Sequence, residues 1–228
     1  MYLKLNGKNI LVFILLFTLS YSFVACENKQ KKEENTQPKL LKGKADQSNS
    51  KLSQRYFEEG DFEKALEYDK KQLAVDLKYY KAVSSEISLD YNNIGLDYDE
   101  LEEYTQALEY YKKAMKIDNV VLDFNSTERA TTYYNIASSY DALEKYSEAL
   151  NYYFKALNID NSVSGEQSED VLATYLDIAK VYEKTEKYNS AFIYYRKALT
   201  LQEILYGKED EDTLTTVRVL EDLKKKLN

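Results

Sequence analysis

Residues 145–156 read KYSEALNYYFKA; forty-two residues earlier the chain reads EYTQALEYYKKA, and forty-two later KYNSAFIYYRKA. The offset holds well beyond this stretch. Tyr91, Tyr133 and Tyr175 align, as do Ile94, Ile136 and Ile178, and the small residues Gly95, Ala137 and Ala179. Further columns hold Tyr98, Tyr140 and Tyr182; Ala107, Ala149 and Ala191; Tyr111, Tyr153 and Tyr195; and Ala114, Ala156 and Ala198. A weaker copy precedes them in Leu52, Ser53, Tyr56, Phe62, Ala65 and Tyr68. A unit this short cannot bury its apolar face alone, so the copies have to stack on one another. Small residues at fixed columns are what let helix backbones approach, with aromatic rings filling the space beside them.

The columns resemble the tetratricopeptide repeat, a helical hairpin written W-x2-L-G-x2-Y, then A, then F. Here Tyr91-x2-Ile94-Gly95-x2-Tyr98, followed by Ala107-x3-Tyr111-x2-Ala114, is that pattern with Tyr for Trp and for Phe. Asn119 and Asn161 stand where the family's closing Pro is usual. The longer period resembles the kinesin-light-chain type, with Gly-containing loops at Val163 to Glu166 and Leu205 to Lys208. The resemblance implies an all-α superhelical solenoid over 48–228. Four helix-turn-helix repeats are expected at about 48–84, 85–126, 127–168 and 169–210, with a cap helix at 211–227. Thr105, Ser147 and Asn189 are expected to N-cap the second helices. In the cap, Leu214, Val217, Leu220, Leu223 and Leu227 make the expected apolar stripe. Asp69 and Gln72 interrupt the aromatic and Ala columns, which marks the first repeat as degenerate and fits a capping role.

The N-terminus carries a separate signal. Lys4 and Lys8 precede the apolar run ILVFILLFTL and then SYSFVAC. Phe23-Val24-Ala25-Cys26 resembles a bacterial lipoprotein signal, which implies removal of 1–25 and lipidation of Cys26. An uncleaved anchor and ordinary cleavage after Ser22 or Ala25 are the alternatives. Residues 26–47, polar and free of aromatics, read as a disordered tether. The expected location is a bacterial cell envelope, lipid-anchored to its membrane, on the periplasmic or the surface side.

Composition narrows the chemistry. The chain has no His and one Cys, so the usual proton shuttle and thiolate metal cages are missing. Six Gly and one Pro in 228 residues also favour helix over turn-rich β architecture. The net charge is −8; residues 1–25 hold two Lys and no acid, and 27–50 six Lys against four acids, which leaves about −12 for the body. An acidic body repels nucleic-acid phosphate. No phosphate-cradling Gly loop, nucleophile–base pair or Ca²⁺ loop is present. The expectations are no enzyme activity, no cofactor, no metal, no nucleic acid and no small-molecule substrate.

Most of the 23 tyrosines fall in repeating columns and are expected as core rather than as stacking platforms. What remains is the inner face. In the family the first helices line a concave groove, and an Asn in their first half bonds the backbone of an extended ligand. The matching column is Asn93, Asn135 and Asp177, flanked by Asn92, Leu96, Tyr134, Ser138, Asp141, Leu176 and Lys180. Amides suit this because each offers a donor and an acceptor to a peptide unit. Bonding between helices is the competing role for the same column. The family's clamp for a C-terminal carboxylate would place basic groups where Ser50, Gln54, Ala173 and Asp177 stand, so that activity is not expected. The implied function is a scaffold that grips a peptide segment or helix of a partner protein. An envelope-assembly subunit and the sensor part of a signalling system are the alternatives.

Overall fold

The computed structural model describes residues 40–227; the signal residues and Cys26 lie outside them. Within them run nine helices: α1 Ser48–Glu58, α2 Phe62–Asp76, α3 Ser85–Glu100, α4 Tyr104–Val121, α5 Thr127–Ala142, α6 Tyr146–Val163, α7 Glu169–Lys184, α8 Tyr188–Leu205 and α9 Glu211–Leu227. There is no strand among the described residues. Each helix packs on the one before and the one after it, and α3 also touches α5. This is the all-α solenoid expected from the columns.

Two local devices recur and set the hairpin geometry. The first helices start at a serine: Ser84, Ser126 and Ser168 each accept from the backbone N–H three residues on. That oxygen satisfies one of the orphan donors of the first turn. Acids at Glu86, Glu128 and Glu169 then meet the positive end of the helix dipole.

The hairpin turn is a Schellman motif. The carbonyls of Tyr98, Tyr140 and Tyr182 accept from the N–H groups of Glu103, Lys145 and Lys187 at 2.8, 2.9 and 2.9 Å. The residue before each donor is left-handed, with φ of 59° at Glu102, 57° at Glu144 and 57° at Glu186. In the first hairpin Gly60 fills that place at φ 76°.

This turn corrects one expectation. The second helices restart at Tyr104, Tyr146 and Tyr188, so Thr105, Ser147 and Asn189 lie inside the first turn and are not N-caps. Glu103, Lys145 and Lys187 hold the cap position, and their side chains accept from no backbone N–H of the first turn.

The core follows the columns. Ala107, Ala149, Ala191, Ala114, Ala156 and Ala198 are fully buried, as are Ile94, Ile136 and Ile178. Tyr111, Tyr153 and Tyr195 are buried beside them. The other tyrosines form a ladder. Tyr98 on Tyr110, Tyr140 on Tyr152 and Tyr182 on Tyr194 have centroids 5.5, 5.8 and 5.7 Å apart. Lys113, Lys155 and Lys197 lie over the outer rings at 3.9, 4.4 and 4.9 Å. The tyrosines are therefore framework, as their periodicity implied.

The cap helix departs from the expected stripe. Thr213, Thr216, Leu220 and Leu223 are its buried residues, whereas Leu214 and Leu227 are exposed. Thr216 continues the column of Asp90, Thr132 and Thr174, so the helix docks with the register of a further first helix.

Candidate functional site: a groove lined by the first helices

Among the described residues, cavities lie in a row between successive first helices, each floored by the second helix between them, and four of them line the groove. The first, 310 Å³, is lined by Phe57, Asn93, Leu96, Asp69 and Asp97. The second, 290 Å³, shares Asn93 and Leu96 with it and adds Asn92, Asn135, Leu89 and Asp118. The third, 190 Å³, is lined by Tyr134, Asp160, Asp170 and Ala173. The fourth, 520 Å³, holds Leu176, Lys180, Tyr195 and Gln202, with α9 as its far wall. Alternation of first and second helices makes this inevitable: the first helices meet edge to edge, and the gaps between them open on one face.

The expected groove residues divide into two sets. Asn93 and Leu96 stand between the first two cavities, Leu96 is about a third exposed (36%), and Asn135 lines the second cavity. Among the described residues no hydrogen bond engages the side-chain amide of Asn135; its carbonyl accepts from Ser139 Oγ at 3.2 Å. Its side-chain amide is open to a ligand, and among the described residues no hydrogen bond engages that of Asn93.

The second set is bonded between helices. Asn92 Nδ2 donates to Thr132 Oγ1 at 2.8 Å, and Thr132 Oγ1 donates to Asp118 Oδ2 at 2.9 Å. Tyr134 donates its hydroxyl to Asp177, which also takes Lys180 Nζ at 2.9 Å. Burial and the Asp177 carboxylate hold the Tyr134 hydroxyl far above its usual range. Lys184 bridges back to Asp141 at 2.8 Å, and Ser138 stands beside the Tyr153 hydroxyl. The Asn/Asp column thus splits: two amides face the groove, and Asp177 joins α5 to α7.

The sequence pattern did not single out the buried acids. Asp76, Asp118 and Asp160 recur at the 42-residue offset near the ends of the second helices, and each is at least 95% buried. Asp118 is satisfied by Ser88 and Thr132. Asp76 accepts from Gln72 Nε2 at 3.0 Å and Gln47 Nε2 at 3.3 Å but also faces Asp90, as Asp69 faces Asp97, so the α2–α3 seam carries two carboxyl pairs. Burial, with the neighbouring carboxyl second, pushes Asp90 and Asp97 up to about 8. Recurrence of Asp at 76, 118 and 160 was the signal that could have disclosed the column. Among the described residues no cluster of acids could hold a metal ion, and no helix is long and apolar enough to cross a membrane.

Comparison with known proteins agrees with this architecture. The tetratricopeptide repeat profile matches residues 47–119 and 128–204. The crystal structure of BtubC (BKLC) from P. vanneervenii is similar at 26% identity and a TM-score of 0.69, over 78% of this chain and 70% of that one. A putative kinesin light chain from Podospora anserina with nearly identical TPR-like repeats shares 17% identity and a TM-score of 0.68, over 78% and 85%. The apo form of RapI shares 22% identity and a TM-score of 0.63, over 76% of this chain and 46% of that one. No curated protein sequence matches the chain. Proteins of this fold serve as protein-interaction scaffolds and are typically non-catalytic. The chain belongs to the tetratricopeptide repeat family, with repeats of the kinesin-light-chain kind.

Proposed function

We propose that the protein is a non-catalytic scaffold that grips a peptide segment or helix of a partner protein along its groove, at a bacterial cell envelope to which a lipid on Cys26 holds it. The observation that carries the groove is the row of cavities with the amides of Asn93 and Asn135 open to it. A peptide unit needs both a donor and an acceptor, and each amide supplies them. The apolar side chains Phe57, Leu89, Leu96 and Leu176 lie between the polar groups. Binding sites of this make-up bury side chains and fix orientation with a few polar contacts.

Occlusion tests the groove. Leu96→Arg or Asn135→Arg should abolish co-purification of the partner from the native cell, while Glu148→Arg, on the exposed side of α6, should retain it. The opposite pattern would favour an assembly subunit that uses the outer surface. The anchor rests on Phe23-Val24-Ala25-Cys26 and on the lysines before the apolar run. Growth with a clickable palmitate analogue should label the protein and leave Cys26→Ser unlabelled. Equal labelling of the two would remove the lipid from the account.

A further inference from the structure

The first cavity differs from the others in what the repeat has given up there. Tyr111, Tyr153 and Tyr195 fill the aromatic column of the later hairpins, but Asp69 stands in that column in the first. The carboxyl that replaces the ring lines a cavity of 310 Å³. Across the seam, the position held by Ser139 and Val181 in later repeats is Asp97. Two carboxyls therefore sit together at the base of a cavity that opens on the groove, Asp69 at 6% and Asp97 at 1% exposure.

Their bonding is incomplete. The Ser53 hydroxyl and the Asp97 carboxyl both bear on Asp69, and among the described residues no basic side chain pairs with either acid. Asp97 Oδ2 is buried in the wall of the cavity with no partner. A buried carboxyl oxygen without a donor is destabilising, and a cation entering the cavity would supply the donor it lacks. Lys70, the cation that bears on Asp97, is committed: its Nζ donates to Tyr98 Oη at 2.8 Å and lies over that ring.

The wider groove has the same sign. Eight acids line the four cavities, namely Asp69, Asp97, Asp118, Glu128, Asp160, Asp170, Glu169 and Asp212, against the single basic residue Lys180.

We infer that the first cavity is a subsite for a Lys or Arg side chain of the segment lying in the groove, with Asp69 and Asp97 as the acceptors of its charged head. The inference rests on the groove reading for the chain that carries the side chain. Phe57 and Leu96 flank the cavity and suit an alkyl stem. Gln54 donates its Nε2 to Glu58 at 3.0 Å, which leaves its carbonyl oxygen as a further acceptor. A guanidinium, with five donors in a fixed fork, can use both the carboxyl pair and this amide.

Protonation supports the assignment. The groups that bear on Asp97 are Asp69 and Lys70 from α2, Glu100 from α3 and Tyr111 from α4, with the Ser53 hydroxyl of α1 on its partner. The pair shares a proton near neutral pH because burial and the second carboxyl oppose full ionisation. An entering cation displaces that proton, so its affinity rises with pH.

The test uses the full chain in detergent micelles, ¹⁵N-labelled, and three blocked tripeptides: acetyl-Ala-Arg-Ala-amide, its citrulline isostere and acetyl-Ala-Glu-Ala-amide. The Arg peptide is expected to shift the side-chain amide signals of Asn93 and Gln54, to bind at least tenfold more tightly than citrulline, and to tighten from pH 6 to 9. Asp97→Asn should bring Arg down to the citrulline level. Asp97→Ser, which installs the residue that the next repeat carries at 139, should do the same with a smaller, uncharged side chain. Equal binding of Arg and citrulline, or Arg binding unchanged in both variants, overturns the subsite. Occlusion at Asn135, one cavity away, does not involve Asp97. Loss of the partner there together with no Arg preference here removes the subsite and leaves the groove.

Discussion

Gly95 shows how tightly single positions are set. A Cβ at this helical position would lie 2.5 Å from Tyr111 Cε1, and that ring is fully buried and held by its hydroxyl on Asp99 at 2.9 Å. Gly95→Ala should therefore destabilise by ~1–3 kcal/mol, despite alanine's better helix propensity. A rise in melting temperature would show that Tyr111 can yield. The reverse case is Glu144, left-handed at φ 57°. Left-handed backbone costs a non-glycine residue roughly 1–2 kcal/mol, and glycine gives back part of that through unfolded-chain entropy. Glu144→Gly should stabilise by about 0.5–1 kcal/mol in denaturant melts; a loss of stability would place the glutamate side chain in a contact of its own. At this scale the tyrosine and alanine columns were legible because packing repeats whenever the seam repeats. The left-handed glutamates were not, since nothing in a glutamate announces φ > 0, and the N-caps were misplaced by two residues as a result.

The seam between α2 and α3 is the element in which the molecule departs from its own rule. The α4–α5 seam pairs Asp118 with the donor Thr132, whereas here Asp76 faces Asp90 and Asp69 faces Asp97. Asp90 and Asp97 are both raised to about 8, by burial first and by the partner acids Asp76 and Asp69 next, with Glu86 and Glu100 adding and Lys70 opposing at Asp97. The sign follows from linkage. A carboxyl whose folded pKa lies above its unfolded value binds its proton better when folded. Its contribution is complete below the unfolded pKa and is lost as pH rises through the folded one. Stability should fall between about pH 4 and pH 8, and hydrogen exchange at pH 9 should show α1 and α2 opening before α5–α8. Uniform exchange across the stack at pH 9 would contradict this. Asp90→Thr with Asp97→Ser, the residues of the next repeat, should flatten the profile and stabilise by about 1–3 kcal/mol at pH 9. This seam was only half legible. Asp69 and Gln72 stand out in the sequence as breaks in the columns. That Asp69 would meet Asp97 depends on packing across the seam, which one sequence does not display.

Over the whole molecule, stability is shared between neighbours, so each end needs closure. Leu223 of α9 is 1% exposed and packs with Leu220 against Ala179, Ala191 and Tyr195. Leu223→Ala should cost about 2–5 kcal/mol and loosen α8. Leu227→Ala, at 39% exposure, should change stability by less than about 0.5 kcal/mol. Equal effects would mean that the cap does not close the stack. The groove is the product of the same stacking, and its position was legible because the first helices of such a solenoid share one face. Which polar side chains stay open was not, since Asp177, Asp141 and Asn92 find partners on neighbouring helices. The most direct test of the groove is photo-crosslinking in the native cell from a probe at Asn135, with a second probe at Glu148. Capture of one defined protein from Asn135 and none from Glu148 is the predicted result. Capture from Glu148 with none from Asn135 would contradict the groove and favour a subunit bound through its outer face.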